Sequence, residues 1–240
     1  MKLLAIDTAT EALSAALLVD GRIASRYAVI GRGHAERILP MVDELLGEAG
    51  FGLGALDAIA FGRGPGAFTG VRIAISAAQG LAFGAGLPLV AVSDLAALAR
   101  LALDEGRRAG LLEAGVGAAL VCLDARMGEV YAALGRDRPD GGVDLSAEVL
   151  AVPAAVTLGG LAVDVPLVGA GHGFSGHALL AERFGVRLAG IFPTLLPRAD
   201  EVARLGALEY LAGRTVAPER AEPVYLRNEV ATRSGRPPKA

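Results

Sequence analysis

The chain has 240 residues, a formal net charge of −3 at pH 7 and 53% hydrophobic residues. This length accommodates one large or two small domains, and the negative charge argues against a basic surface spread over the whole chain. The longest stretch without a charged residue, 73–93, is long enough to cross a bilayer, but glycines and a proline interrupt it. We therefore predict a buried helix, a turn and a buried strand there. The single cysteine, Cys122, excludes an intramolecular disulfide and lies in an apolar run that predicts a core thiol.

The first half of the chain shows strand and helix patterns in alternation. Apolar runs predict strands at 2–7, 13–19, 22–30, 57–61 and 87–92. Apolar residues at helical spacing predict helices at 34–49, 71–83 and from Ser93 or Asp94 to about 104. Asp20-Gly21 is a hairpin turn signal, whereas Pro40 either caps or kinks the first helix.

The second half repeats this order of strands followed by helices. Its strands are predicted at 118–123, 129–134, 143–152 and 166–168, and its helices at 175–184 and 198–212. The pattern predicts an α/β protein of two actin/hexokinase/Hsp70-like domains, with a mixed five-stranded sheet in the first and a smaller, degenerate second domain. We expect domains at 1–104 and 105–225, with helix 198–213 packing back on the first, and a basic flexible tail at 226–240.

Two segments carry candidate chemistry. Asp7 and Thr8 end the first strand, where they could hold a hydrated cation or phosphate, or only bond the local backbone. The glycine-rich segment 62–70 leads into a helix N-terminus, which favours anions, but it matches neither a Walker loop nor GxGxxG. A docking loop therefore fits at least as well. The candidate residues in and beside this loop are Gly64, Pro65, Gly66, Phe68, Thr69, Gly70 and Arg72.

The helix predicted at 71–83 is rich in small side chains, which permit another helix to approach closely. Either it packs only on its own sheet, or its second face forms a subunit interface with the helix at 34–49. The candidate interface residues are Ile38, Met41, Val42, Leu45, Ala74, Ala77, Ala78 and Leu81.

No metal site is predicted. His172 and His177 are five residues apart, which is not the spacing of a helical zinc pair, and their role stays open. Asp124, Arg126 and Glu129 cluster in a turn that we interpret as a salt-bridged surface feature.

Several motifs together resemble the TsaB family, also called YeaZ. They are LAIDTAT at 4–10, HAERILPM at 34–41, GRGPGAFTGVRI at 62–73, AAQGLA at 77–82, PLVAVSDL at 88–95 and RMGEVY at 126–131. The similarity is dense over about the first 135 residues and thins afterwards to PVYLR at 223–227. The motif GRGPGAFTGVRI is highly specific.

This resemblance implies two actin-like domains and a non-catalytic subunit of the bacterial complex that forms threonylcarbamoyladenosine in tRNA. In that family the paralogue TsaD transfers the threonylcarbamoyl group, using a metal held by an HxxxH motif. Asp94 and Leu98 stand where those two histidines would be, and leucine cannot bind a metal.

The resemblance further implies binding to TsaD through the first two long helices and cooperation with the ATPase TsaE. We expect the same helices to support self-association as a homodimer, while the resting oligomeric state stays open. We expect contact with tRNA only through the complex, and no cofactor of its own, with ATP only at a complex interface. The expected location is the cytoplasm, because the N-terminus leads directly into a strand that soon becomes acidic.

Two other classes of function stay open. One is a nucleotide-binding enzyme or glycopeptidase-like hydrolase of the same superfamily, acting through Asp7 and the 62–70 loop. The other is an RNA-binding protein that uses the basic tail, which carries Arg227, Arg233, Arg236 and Lys239.

Overall fold

The computed structural model describes residues 1–158 and 165–227. The strands of its first sheet are β1 (Lys2–Asp7), β2 (Ala12–Val19), β3 (Arg22–Val29), β4 (Ala58–Gly62) and β5 (Leu89–Val92). They lie in the order β3-β2-β1-β4-β5. The three strands of the opening meander pair antiparallel, whereas β1, β4 and β5 run parallel. Asp20 and Gly21 have positive φ, as a tight hairpin turn between β2 and β3 requires.

Three helices belong to this first half: α1 (His34–Ala49), α2 (Phe68–Ala85) and α3 (Asp94–Arg108). Helix α1 continues through Pro40 and ends at Gly50, which adopts the left-handed conformation. Ser93 caps α3, because its side chain accepts a hydrogen bond from the Ala96 N–H at 3.1 Å. The charge-free stretch 73–93 is therefore a helix, a turn and a strand, and no helix within the described ranges is long and apolar enough to cross a membrane.

The six strands of the second sheet are β6 (Ala118–Arg126), β7 (Glu129–Asp137), β8 (Val143–Leu145), β9 (Val149–Ala151), β10 (Leu167–Ala170) and β11 (Leu188–Phe192). Five of them lie in the order β11-β10-β6-β7-β8, and β9 also pairs with β7. The helices that follow are α4 (Gly173–Gly176), α5 (Ala178–Phe184) and α6 (Ala199–Leu211). The path of five strands repeats the order and directions of the first sheet, which confirms two related α/β units.

The second unit departs from the sequence prediction in three places. The single strand predicted at 143–152 is wrong: Ser146 bonds Leu134 through both its N–H and its hydroxyl, which bends the chain between β8 and β9. The helix predicted at 175–184 breaks at His177, whose extended backbone separates α4 from α5. Strand β11 was not predicted. The second unit therefore has shorter helices, α4 and α5, than the first, but its sheet is not smaller.

The helices cover the sheets in layers. Helices α1 and α2 pack on one face of the first sheet, and α6 packs on its other face. Helix α3 covers one face of the second sheet and contacts α6, while α4 and α5 lie on the far face. Cys122 is fully buried on that far face, and burial raises the pKa of its thiol to about 12.

Candidate functional site

The carboxyl groups of Asp7 and Asp94 meet where β1 ends and α3 begins. Both side chains are buried. The Ala9 N–H donates to Asp7 Oδ1 at 2.8 Å, and the Gly64 N–H donates to Asp94 Oδ2. Asp7 Oδ2 and Asp94 Oδ1 receive no hydrogen bond from N–H groups of the described residues.

Burial raises the pKa of Asp7 to about 6, although the Ala9 N–H and Asp94 partly oppose it. Burial also raises the pKa of Asp94, and the charge of Asp7 raises it further. Both carboxyl groups therefore bind a proton more tightly than an exposed aspartate does.

The glycine-rich loop closes around the turn that follows Asp7. A Cβ on Gly66 would lie 2.4 Å from the Ala9 carbonyl oxygen, and one on Gly70 would lie 2.1 Å from that of Thr8. The Thr8 hydroxyl donates to the Gly70 carbonyl at 2.7 Å, and the Ala67 N–H donates to the Ala9 carbonyl at 2.7 Å. The close approach that these glycines permit is thus to the chain's own backbone, and Thr8 bonds the loop rather than facing an open cleft.

Three distant segments enclose the other side of the loop. Arg63 pairs with Glu148 at 2.9 Å, and Ser93 Oγ donates to the same carboxylate. The Val224 N–H donates to the Arg63 carbonyl at 2.8 Å. Sequence reasoning missed Glu148 and Val224, because each reaches the loop from far along the chain and no local pattern marks it.

The first residues of α2 form the exposed part of the predicted loop. Phe68 is 55% exposed and Tyr225 is 42% exposed, with their ring centroids 5.6 Å apart. The Arg72 guanidinium lies 3.3 Å from the Phe68 centroid and 5.1 Å from the Tyr225 centroid. We call Phe68, Arg72 and Tyr225 the aromatic cluster; its third member was not among the sequence candidates.

Most of the candidate interface residues lie in the chain's own core. The buried ones are Ile38, Met41, Val42, Leu45, Ala74 and Ala78, while Ala77 and Leu81 are half-buried. Apolar periodicity selected the core-facing stripes of α1 and α2, because the same pattern marks residues that pack on the sheet. The outward faces of these helices carry other side chains, namely Leu39, Ser76, Gly80 and Phe83.

His172 lies at the boundary between the two units, whereas His177 lies within the second unit. His172 Nε2 is 3.6 Å from Glu11, His177 Nε2 is 3.6 Å from Asp124, and burial lowers the pKa of His172. Asp124 also pairs with Arg126 at 3.6 Å, in line with a salt-bridged turn. Across residues 1–158 and 165–227, no group of three or more His, Cys, Asp or Glu side chains is arranged to hold a metal.

Comparisons with known proteins agree on one family. A family model described as TsaD, tRNA N6-adenosine threonylcarbamoyltransferase, matches residues 17–176. The tRNA threonylcarbamoyladenosine biosynthesis protein TsaB of Escherichia coli is 42% identical, covering 96% of each chain. The TsaB of Haemophilus influenzae is 38% identical, covering 96% of this chain and 95% of the relative. The structure of YeaZ from Pseudomonas aeruginosa is 43% identical, with a TM-score of 0.81 over 94% of this chain and 99% of that one.

Proposed function

Since this chain belongs to the TsaB (YeaZ) family of tRNA threonylcarbamoyladenosine biosynthesis proteins, we propose that it serves this pathway as a non-catalytic scaffold. It binds the catalytic paralogue TsaD, supports the ATPase TsaE, and self-associates when TsaD is absent. It reaches tRNA within the complex, and any ATP lies at a complex interface. The cell compartment that fits this role is the cytoplasm.

The observation that supports the non-catalytic role is the burial of Asp94 and Leu98 and the contacts that they make. Leu98 is fully buried in the core between α3 and the second sheet. Asp94 is buried beside Asp7, and its Oδ2 accepts a hydrogen bond from the Gly64 N–H. The positions that correspond to the metal ligands of TsaD thus offer no pair of ligands facing a cleft.

The outward faces of α1 and α2 are the surface that fits a partner best. Phe83 is 60% exposed on α2, and Ser76 and Gly80 leave room there for a second helix. Leu39 adds exposed apolar surface on the neighbouring α1. Because small residues allow close helix packing around apolar anchors, this surface suits TsaD or a second copy of the chain.

Gly80 offers a direct test of this interface. A Cβ at Gly80 would meet nothing within 4 Å, so substitution there leaves the core intact. Gly80→Glu places a charge on the outward face and should weaken the affinity for purified TsaD at least tenfold, whereas Gly80→Ala, the matched control, should bind within about threefold of wild type. Unchanged TsaD affinity in a folded Gly80→Glu variant would contradict the proposal. Ala78 is unsuitable for this test, since a charge there would enter the core.

The carboxyl pair is the observation that favours the alternative, an enzyme acting through Asp7. A buried carboxyl group with a raised pKa is also found among general acids and bases. Hydrolysis of ATP by the purified chain alone, lost on Asp7→Asn, would establish this alternative and overturn the scaffold proposal.

A further inference from the structure

The aromatic cluster is solvent-exposed and firmly held. Phe68 is the first residue of α2, directly after Ala67, whose N–H bonds the Ala9 carbonyl. Tyr225 lies between Val224, which bonds Arg63, and Arg227, which donates to the Ala125 carbonyl at 3.1 Å. Two exposed aromatic rings on a backbone held in this way present flat apolar surface at a low cost in conformational freedom on binding.

The charge beside these rings comes from Arg72. Within the described ranges Arg72 has no carboxylate partner, and α2 begins without an acidic residue in its first turn. The neighbouring arginines are paired with carboxylates: Arg227 with Glu129 at 2.7 Å, and Arg126 with Asp124 at 3.6 Å. The cluster thus combines stacking surface with an available guanidinium.

The chain that follows adds charge of the same sign. Immediately after Arg227, residues 228–240 contain Arg233, Arg236 and Lys239 against Glu229. Exposed aromatic rings beside an arginine are complementary to single-stranded nucleic acid, in which bases stack on rings and phosphates attract arginine. A purely apolar protein partner would gain no affinity from these positive charges.

We propose that Phe68, Arg72 and Tyr225 form a direct contact surface for unpaired bases of tRNA. The choice of tRNA as the source of those bases rests on the proposed function. The surface itself rests on the geometry of the cluster, so this chain contributes RNA affinity to the complex in addition to its scaffold role.

The test is equilibrium binding of the full chain, and of its complex with TsaD, to a tRNA anticodon stem-loop and to a fully paired duplex of equal length. Phe68→Ala and Tyr225→Ala should each weaken stem-loop binding about tenfold. Tyr225→Phe should retain it, and Arg72→Gln should reduce the slope of log affinity against log salt by about one. The duplex should bind more weakly than the stem-loop.

The matched control is Tyr27, which is 39% exposed on β3 and also lies under an arginine, Arg198, at 4.9 Å. Tyr27→Ala should leave RNA binding unchanged. The inference would be overturned if Tyr27→Ala and Tyr225→Ala lost equal RNA affinity, or if neither Phe68→Ala nor Tyr225→Ala lost any. It would also be overturned if neither the chain nor its complex bound RNA.

TsaD affinity, measured in parallel, separates this inference from the proposed function. The cluster variants should bind TsaD normally. Loss of TsaD binding with normal RNA binding would assign the cluster to a protein partner and overturn the RNA inference, while the scaffold proposal would stand.

Discussion

At the scale of single residues, two buried carboxyl groups link the stability of the chain to pH. Burial raises the pKa of Asp7 to about 6 and that of Glu201 to about 7. A carboxyl group whose pKa is higher in the folded than in the unfolded state stabilises the fold at low pH. That contribution is present below pH 4 and is lost as the pH rises through the folded-state pKa.

Glu201 on α6 gives the clearer single-residue prediction. Its side chain is buried, and its Oε2 is 3.6 Å from the partly exposed Arg204. Glu201→Gln removes the titration, so the decrease in the free energy of unfolding from pH 5 to pH 8 should shrink by about 2 kcal/mol. Denaturant titrations at both pH values measure this difference, with Glu209→Gln, at a half-buried position of the same helix, as control. An unchanged pH slope in Glu201→Gln would show that Glu201 does not titrate in this range.

At the scale of elements, α2 has one face that tolerates no added atom and another that does. Gly70→Ala would drive its Cβ into the Thr8 carbonyl, at 2.1 Å, and should destabilise the chain by about 3 kcal/mol or more. Gly80→Ala meets open space and should stabilise it by up to about 1 kcal/mol, because alanine favours a helix more than glycine. Thermal and denaturant unfolding of the two variants measure the contrast. Similar stabilities would mean that the loop does not pack against Thr8 in solution.

Helix α1 and strand β11 show how much of the structure local sequence patterns predict. Helix α1 was predicted to its end residues, because its apolar spacing is regular and Gly50 terminates it. Strand β11 was missed, since Gly190 interrupts its apolar residues and it is only half-buried. Its pairing is set by β10, a tertiary partner that no local pattern reveals.

The candidate site was likewise predicted only in part from the sequence. The glycine pattern identified the 62–70 loop, but not that Thr8 and Ala9 fill it, because the contact joins segments about sixty residues apart. Periodicity on α1 and α2 found the core-facing residues such as Ile38 and could not distinguish them from a partner surface. Tyr225 joined the cluster only through the path of the C-terminal segment.

At the scale of the whole molecule, the two units share a strand order and a pair of glycines that closely approach backbone carbonyls. Gly171 and Gly173 follow β10 and approach the Cys122 carbonyl, with ideal Cβ positions 2.3 and 2.7 Å away. Gly66 and Gly70 approach the carbonyls of Ala9 and Thr8, in the turn after β1, with ideal Cβ positions 2.4 and 2.1 Å away. In both units, glycines that follow a parallel strand thus pack tightly against the backbone of the same unit.

We propose that this chain supports threonylcarbamoyl transfer without taking part in the chemistry. The most direct measurement is the rate of transfer to tRNA by a complex reconstituted with TsaD and TsaE, at concentrations that saturate assembly. Asp7→Asn keeps the acceptor for the Ala9 N–H and can donate to Asp94, so we predict a rate within about twofold of wild type. Loss of transfer by Asp7→Asn in a fully assembled complex would contradict the account.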